Sequence, residues 1–107
     1  MICNPSASDE TTAKDSYRRE LVSSQSARLV GAYLYASAGE GESTQDLVYS
    51  GHNLIAENGI VLAESQRFTN HYIETEIDVD RLTADRRKMT TFGGEEEAQY
   101  HRVYFTL

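Results

Sequence analysis

Residues 31–68, GAYLYASAGEGESTQDLVYSGHNLIAENGIVLAESQRF, decide the fold, because short β-type runs alternate there with turn signals. Residues 33–37 predict a buried strand that stops at the glycines and acids of residues 38–42. Residues 47–49 give a further strand signal. Asn58 and Gly59 then separate two apolar runs, and Asn-Gly strongly indicates a type I′ hairpin, since both central residues must take a positive φ.

The residues before this stretch predict a strand, a helix and a return to the sheet. Residues 1–3 form a short apolar strand that Pro5 is expected to close, because proline cannot donate to a β-ladder. Over residues 14–31 the apolar side chains recur at a period of about 3.6, with Gly31 as the expected C′ residue of the helix. Strand, helix and strand form a βαβ unit, which places the two strands in parallel.

The last third of the chain predicts one more strand, a short helix and a final strand. Residues 72–79 alternate apolar with acidic side chains, as expected of a strand with one wet face. Asp78 or Asp80 can cap a helix over residues 81–89, whose basic end suits a helix C-terminus. Residues 102–107 predict the final strand. Both ends of the sequence are abrupt, so we expect a piece of a larger protein.

Composition limits the classes of protein and partner. A length of 107 residues predicts one domain at most, and a net charge of -7 gives no general attraction for nucleic acid or an anionic membrane. No apolar run approaches the roughly 18 residues of a membrane helix. With a single cysteine, the chain has no internal disulfide, and a cytoplasmic location is the simplest interpretation.

The reactive residue types do not form a complete active site. Cys3 is the one candidate thiol nucleophile, but its place in a strand without a neighbouring histidine favours an inert, buried thiol. His52, His71 and His101 are scattered over three segments, so no zinc signature is present. From its residues alone, the chain is therefore interpreted as an α/β fragment without a complete active site.

Charged side chains offer only weak candidates for binding sites. Residues 39–44 superficially resemble a phosphate loop, but they lack its lysine and carry two carboxylates. Calcium-loop spacing is also absent around Glu40, Glu42 and Asp46, so a plain acidic loop is the better interpretation. The arginines of the first helix are expected to be solvated or to pair with carboxylates; they are Arg18, Arg19 and Arg28.

A series of short motifs runs through residues 2–92. They are NPSAS at 4–8, YRR at 17–19, QSAR at 25–28, AGEGEST at 38–44, DLV at 46–48, GHNLIAENGIVLA at 51–63, ID at 77–78 and RKMTTF at 87–92. Together these motifs resemble the C-terminal third of the nitrilase (carbon-nitrogen hydrolase) superfamily. The resemblance is most specific to the glutaminase domain of the glutamine-dependent NAD(+) synthetases.

The resemblance implies a fold and an activity for the larger protein. Residues 1–107 would form the C-terminal fragment of a nitrilase-like α-β-β-α sandwich, which is an α/β (α+β) fold with an Asn-Gly hairpin. In this family a glutamate, a lysine and a cysteine release ammonia from glutamine, by attack of the thiolate and stabilisation of an oxyanion. A synthetase domain then uses ATP and Mg²⁺ to amidate deamido-NAD(+) to NAD(+).

The resemblance also implies what this segment lacks and what it contributes. The Glu-Lys-Cys triad is expected upstream of residue 1, so no catalytic residue is assigned here and the fragment alone is expected to be inactive. Ser8 and Lys14 match the residues that the family places against bound L-glutamine, and a hydroxyl with an ammonium can hold an α-carboxylate. Asp9 and Ala13 stand where asparagine and glycine are expected in many relatives.

Other interpretations of the chain remain open at this point. From sequence alone, Ser8 is a turn or cap residue and Lys14 a solvated lysine of the first helical turn. A non-catalytic nitrilase-like α/β interaction module is the alternative to an amidotransferase fragment. For a fragment cut from a larger domain, unpaired strand edges lead us to expect a homo-oligomer.

Overall fold

The computed structural model describes residues 1–91 and 103–106, and it has a mixed α/β fold. Within these residues, one four-stranded sheet in the order β1-β2-β3-β4 carries two helices. In chain order the elements are β1 (Ile2–Ser6), α1 (Lys14–Arg28), β2 (Ala32–Ser37), a 3-10 turn (Glu40–Glu42), β3 (Leu54–Glu57), β4 (Ile60–Glu64) and α2 (Val79–Lys88). This arrangement is the α/β fold with a hairpin that the sequence predicts.

The β1-α1-β2 segment confirms the predicted βαβ unit. β1 runs parallel to β2, with Ile2 opposite Tyr33 and Ser6 opposite Ser37. β1 continues through Pro5, so the prediction that this proline closes the strand is wrong. Since β1 is an edge strand of the described sheet, it is the kind of position where a proline is tolerated.

The β3-β4 hairpin turns at Asn58 and Gly59, as predicted. Both residues have a positive φ, 44° and 90° respectively, which is the backbone that a type I′ turn requires. Two serines of α1 hold this turn against the helix. Ser23 Oγ donates to the Gly59 carbonyl at 2.5 Å, and Gly59 N–H donates to Ser26 Oγ at 2.8 Å.

The face that α1 turns to the sheet differs from the predicted apolar pattern. Arg18, Val22 and Ser26 are buried at four-residue intervals, whereas Tyr17 and Leu21 are exposed. Two polar side chains can occupy this face because each finds a partner across it. The apolar core consists of Val22, Tyr35, Leu54 and Ala56, with Tyr33 and Val61 packed against it.

Helix α1 ends in a Schellman motif, although glycine does not take its left-handed position. Val30 has a φ of 43° and its N–H donates to the Ala27 carbonyl, while Gly31 N–H donates to the Ser26 carbonyl. Gly31 therefore occupies C″, one position later than predicted. The Val30 side chain is buried, although this conformation is an unfavourable one for a β-branched residue.

Two predicted strands are not part of the sheet among the described residues. At residues 47–49 the Val48 carbonyl accepts from Glu10 N–H at 2.7 Å, instead of pairing in a ladder. Residues 72–78 pair with no strand of the described chain; Tyr72 and Ile73 lie over β2 and β3, where they line a cavity. The prediction of a strand is therefore wrong at both places.

The C-terminal region confirms one local prediction. The Asp78 side chain accepts from Arg81 N–H at 2.9 Å and so caps α2, whose last turn is basic as expected.

The predicted final strand lies partly outside the described residues, since 102 and 107 are not among them, and residues 103–106 form no strand. The predicted exposed segment over residues 90–99 lies mostly outside the described residues. Neither described helix combines the length and apolarity needed to cross a bilayer.

The hairpin turn gives a test of this fold by substitution of glycine. A Cβ at residue 59 would meet the Ala27 Cβ at 3.1 Å on a backbone of positive φ, so Gly59→Ala should lower the free energy of unfolding by about 1–2 kcal/mol. Gly41→Ala is the control, because a Cβ there meets no atom within 4 Å. Urea denaturation measures both variants, and equal effects would contradict the proposed role of the turn.

Candidate functional site

A cleft of about 190 Å³ lies beside the carboxyl end of β1, between that strand and the first two turns of α1. The structure brings the two predicted site residues, Ser8 and Lys14, into its lining. Ligands of α/β proteins commonly bind at the carboxyl ends of parallel strands. The complete lining is Asn4, Ser6, Ser8, Lys14, Tyr17, Arg18, Leu21 and Tyr35.

Lys14 forms an ion pair at the rim of this cleft. Its Nζ lies 2.6 Å from Asp9 Oδ1, and the Lys14 side chain is 27% exposed. The hydrogen bond from Lys14, together with its positive charge, lowers the pKa of Asp9 below the ordinary value for the free side chain. The Lys14 ammonium in the lining of the cleft is therefore paired with the carboxylate of the residue that follows Ser8.

Glu10 fixes the loop that carries Ser8 and Asp9. Its carboxylate is buried and accepts from Ser50 Oγ at 2.5 Å and from Arg18 Nη1 at 3.0 Å, with Arg67 Nη1 at 3.4 Å. Burial raises the pKa of Glu10, but the hydrogen bonds from Ser50 and Arg18 and the positive charges of Arg18 and Arg67 outweigh it, and the pKa lies below its ordinary value. The carboxylate is thus ionised at neutral pH.

Arg18 also fixes the protonation of a buried histidine. Arg18 Nη1 lies 2.9 Å from His52 Nδ1, which must accept because a guanidinium can only donate. His52 Nε2 therefore carries the proton and donates to Glu64 Oε1 at 2.8 Å. Burial and the positive charge of Arg18 lower the pKa of His52, and they outweigh the negative charges of Glu10 and Asp15, which raise it. The neutral Nε2–H tautomer satisfies both contacts.

Two donors of Arg18 are still without a partner. Its side chain is 3% exposed, and Nε and Nη2 have no hydrogen-bond acceptor among residues 1–91 and 103–106. The guanidinium carbon lies 5.9 Å from the centre of the Tyr35 ring, which gives a cation–π contact on one face. The buried guanidinium of Arg18 and the Tyr35 ring therefore both contribute to the lining of the cleft.

Sequence reasoning placed the helix arginines only in general terms. The interpretation of Arg18 and Arg19 as partners of carboxylates is confirmed, since they contact Glu10 and Glu64 respectively. His52 was missed because it is 34 residues from Arg18 in sequence and has no periodic signature. The burial of Arg18 had a signal in the sequence, because Arg18 lies four residues before Val22 and therefore on the same face of the helix.

The remaining reactive residues do not add chemistry to this cleft. Cys3 is exposed, and the prediction of a buried thiol is wrong, because nothing among the described residues covers that side of the edge strand. No three side chains of His, Cys, Asp or Glu converge as a metal site requires anywhere in the described ranges. The residues that line the cleft carry groups that can bind and orient a ligand, and Cys3 is not one of them.

Loss of the buried cation should be costly to the fold. Arg18→Met leaves the 7%-exposed Glu10 carboxylate without its buried partner, so the free energy of unfolding should fall by about 3–5 kcal/mol. Arg28→Met, on the exposed side of the same helix, should change it by less than about 0.5 kcal/mol. Urea denaturation at pH 7 compares the two. Similar losses would show that the Glu10 contact does not anchor the structure.

Comparisons with known proteins agree on one group of enzymes. The chain is 43% identical over 104 residues to the glutamine-dependent NAD(+) synthetase of Mycobacterium tuberculosis, which covers 95% of this chain and 15% of that protein. The synthetase of Mycobacterium leprae is 44% identical over 105 residues, with 96% and 15% covered. No protein-family model matches the sequence.

A solved structure supports the same relationship. The crystal structure of a glutamine-dependent NAD(+) synthetase from Cytophaga hutchinsonii superposes with a TM-score of 0.58 and 33% sequence identity, over 62% of this chain and 11% of that one. The chain spans about 15% of the length of the curated relatives it matches. In sequence and in fold, it therefore resembles one segment of the glutamine-dependent NAD(+) synthetases.

Proposed function

We propose that residues 1–107 are the C-terminal part of the nitrilase-like glutaminase domain of a glutamine-dependent NAD(+) synthetase. The observation that carries this proposal is 43% identity over 95% of the chain to such synthetases. The cleft adds a structural argument, because it gathers Ser8 and Lys14 beside a parallel strand end. The similarity favours this hypothesis over a non-catalytic interaction module.

In this proposal the segment supplies one wall of the glutamine pocket. The Ser8 hydroxyl and the Lys14 ammonium bind the α-carboxylate, because both can donate and a charge-assisted hydrogen bond is strong. Tyr17 and Leu21, exposed on α1, line the apolar side of the cleft and shield the aliphatic part of the ligand from water. These residues orient the substrate; none of them attacks its amide.

The chemistry itself is proposed to lie outside this segment. A glutamate, a lysine and a cysteine upstream of residue 1 would release ammonia, and a synthetase domain of the same protein would use it to make NAD(+). ATP and Mg²⁺ would bind that synthetase domain. We further propose a cytoplasmic homo-oligomer, and an isolated segment without activity.

Substitution of Lys14 in the intact synthetase that carries this segment tests the proposed pocket. Lys14→Ala should raise the KM for glutamine by about tenfold or more, because it removes a charged hydrogen-bond donor to the substrate. NAD(+) synthesis from free ammonia should stay unchanged, since that reaction bypasses the glutaminase site. Steady-state assays with each nitrogen source measure the two effects.

The other described lysine supplies the control for charge. Lys88 lies on α2 with its side chain 77% exposed, and Lys88→Ala should affect neither reaction. Equal losses with glutamine and with ammonia in Lys14→Ala would indicate misfolding. An unchanged KM for glutamine would contradict the assignment of Lys14 to the pocket.

A further inference from the structure

The guanidinium of Arg18 has one nitrogen in use and one edge without a partner. Its Nη1 lies 3.0 Å from Glu10 Oε2 and 2.9 Å from His52 Nδ1. Its Nε and Nη2 find no acceptor in the part of the chain that the structure describes. These two nitrogens form the side-on edge of the guanidinium, along which two N–H groups point in parallel.

This edge requires an acceptor because the Arg18 side chain is only 3% exposed. Buried polar groups in proteins are almost always hydrogen-bonded, and a buried charged donor without a partner destabilises the fold. The Tyr35 ring, with its centre 5.9 Å from the guanidinium carbon, attracts the charge but gives these N–H groups no acceptor. Two parallel N–H groups match the two oxygens of a carboxylate.

The side-on edge belongs to a residue that lines the cleft together with Ser8 and Lys14. Lys14 is the first residue of α1 and Arg18 lies one turn later, so both side chains lie on the same side of the helix. The positive end of the helix dipole is at the same place. A carboxylate has about four acceptor sites, which suffice for two bonds from Arg18 and one each from Ser8 and Lys14.

A ligand can reach this edge only if a side chain moves, since Nε and Nη2 of Arg18 are shielded from solvent. Tyr17 and Leu21 line the same cleft and are 62% and 43% exposed. Exposed side chains change rotamer rapidly, and neither of these two belongs to the apolar core. Their movement can therefore admit a ligand as deep as Arg18 without disturbing the packing of the sheet.

We propose that Arg18 binds the α-carboxylate of L-glutamine through Nε and Nη2, together with Ser8 and Lys14, and so makes an α-carboxylate a requirement for binding. This inference rests on the proposed glutaminase function. Glu10 and His52 hold Nη1 and thereby fix the direction of the side-on edge before the substrate arrives. Arg18 determines substrate specificity and takes no part in breaking the amide bond.

The test compares two substrates in the intact synthetase that carries this segment. Ammonia release is measured from L-glutamine and from its α-N-methylamide, which has the same side chain but no α-carboxylate. Arg18→Lys keeps a positive charge beside Glu10 but removes the two parallel donors. Arg28→Lys, on the exposed side of α1, is the matched control. Synthesis of NAD(+) from free ammonia reports on the folding of each variant.

In Arg18→Lys, the ratio of kcat/KM for L-glutamine to kcat/KM for the methylamide should fall by about tenfold to a hundredfold, as expected for lost charged hydrogen bonds. Arg28→Lys should keep the wild-type ratio. A ratio in Arg18→Lys within about twofold of wild type would overturn the role of Arg18 while leaving the glutaminase function intact. Absence of ammonia release from L-glutamine by the wild-type protein would overturn both.

Displacement of the loop that carries Ser8 is another cause of such a loss, because Arg18 also anchors that loop through Glu10. Ser50→Ala separates the two causes, since it removes a hydrogen bond to Glu10 and leaves the side-on edge of Arg18 intact. It should keep the wild-type ratio, and a fall as large as that in Arg18→Lys would overturn the proposal. If Arg18→Lys does not fold, a structure of the wild-type protein with L-glutamate decides: α-carboxylate oxygens within about 3.2 Å of Nε and Nη2 support the proposal, and a longer separation from both overturns it.

Discussion

The buried guanidinium of Arg18 is the interaction on which the rest of the structure depends. It reaches from α1 to Glu10 in the loop after β1 and to His52 in the segment before β3. Through His52 the contact continues to Glu64 at the end of β4. A charge that is 97% removed from solvent is tolerated only when it is paired, so each of these contacts is needed for the others.

This interaction positions the candidate site because Glu10 lies two residues after Ser8. The Glu10 carboxylate is held by Arg18 and Ser50, and its N–H donates to the Val48 carbonyl. The loop that carries Ser8 and Asp9 is therefore ordered before any ligand arrives. Ordering a site in advance lowers the entropy that binding must oppose, so the buried charges in the fold serve the proposed recognition of glutamine.

The features that sequence predicted correctly depend on short-range physics. The turn at Asn58 and Gly59, the cap at Asp78 and the βαβ unit each follow from local backbone preferences or from hydrophobic periodicity. Residues 47–49 and 72–78 have strand-like composition, but whether such residues join a sheet depends on which neighbours their backbone finds. That information is not local, and both predictions were wrong.

In the candidate site, too, some features could be predicted from the sequence and others depend on contacts between distant residues. Resemblance to a family located Ser8 and Lys14, and the structure places them in one cleft. The buried network was beyond prediction, because Arg18, Ser50 and His52 are separated along the chain and meet only in the folded state. Hydrophobic periodicity also misplaced the inner face of α1, since its polar residues are buried by specific hydrogen bonds that a scale of apolarity cannot detect.

A crystal structure of the intact protein with bound L-glutamate tests the central claim most directly, because this product keeps both α groups of glutamine. We expect the ligand in the cleft beside β1, with its α-carboxylate within about 3.2 Å of Ser8 Oγ and Lys14 Nζ. The loop anchored by Glu10 should keep the conformation described above. Density for glutamate at another place, or a cleft filled by a different part of the same protein, would contradict the assignment of this segment as a wall of the glutamine pocket.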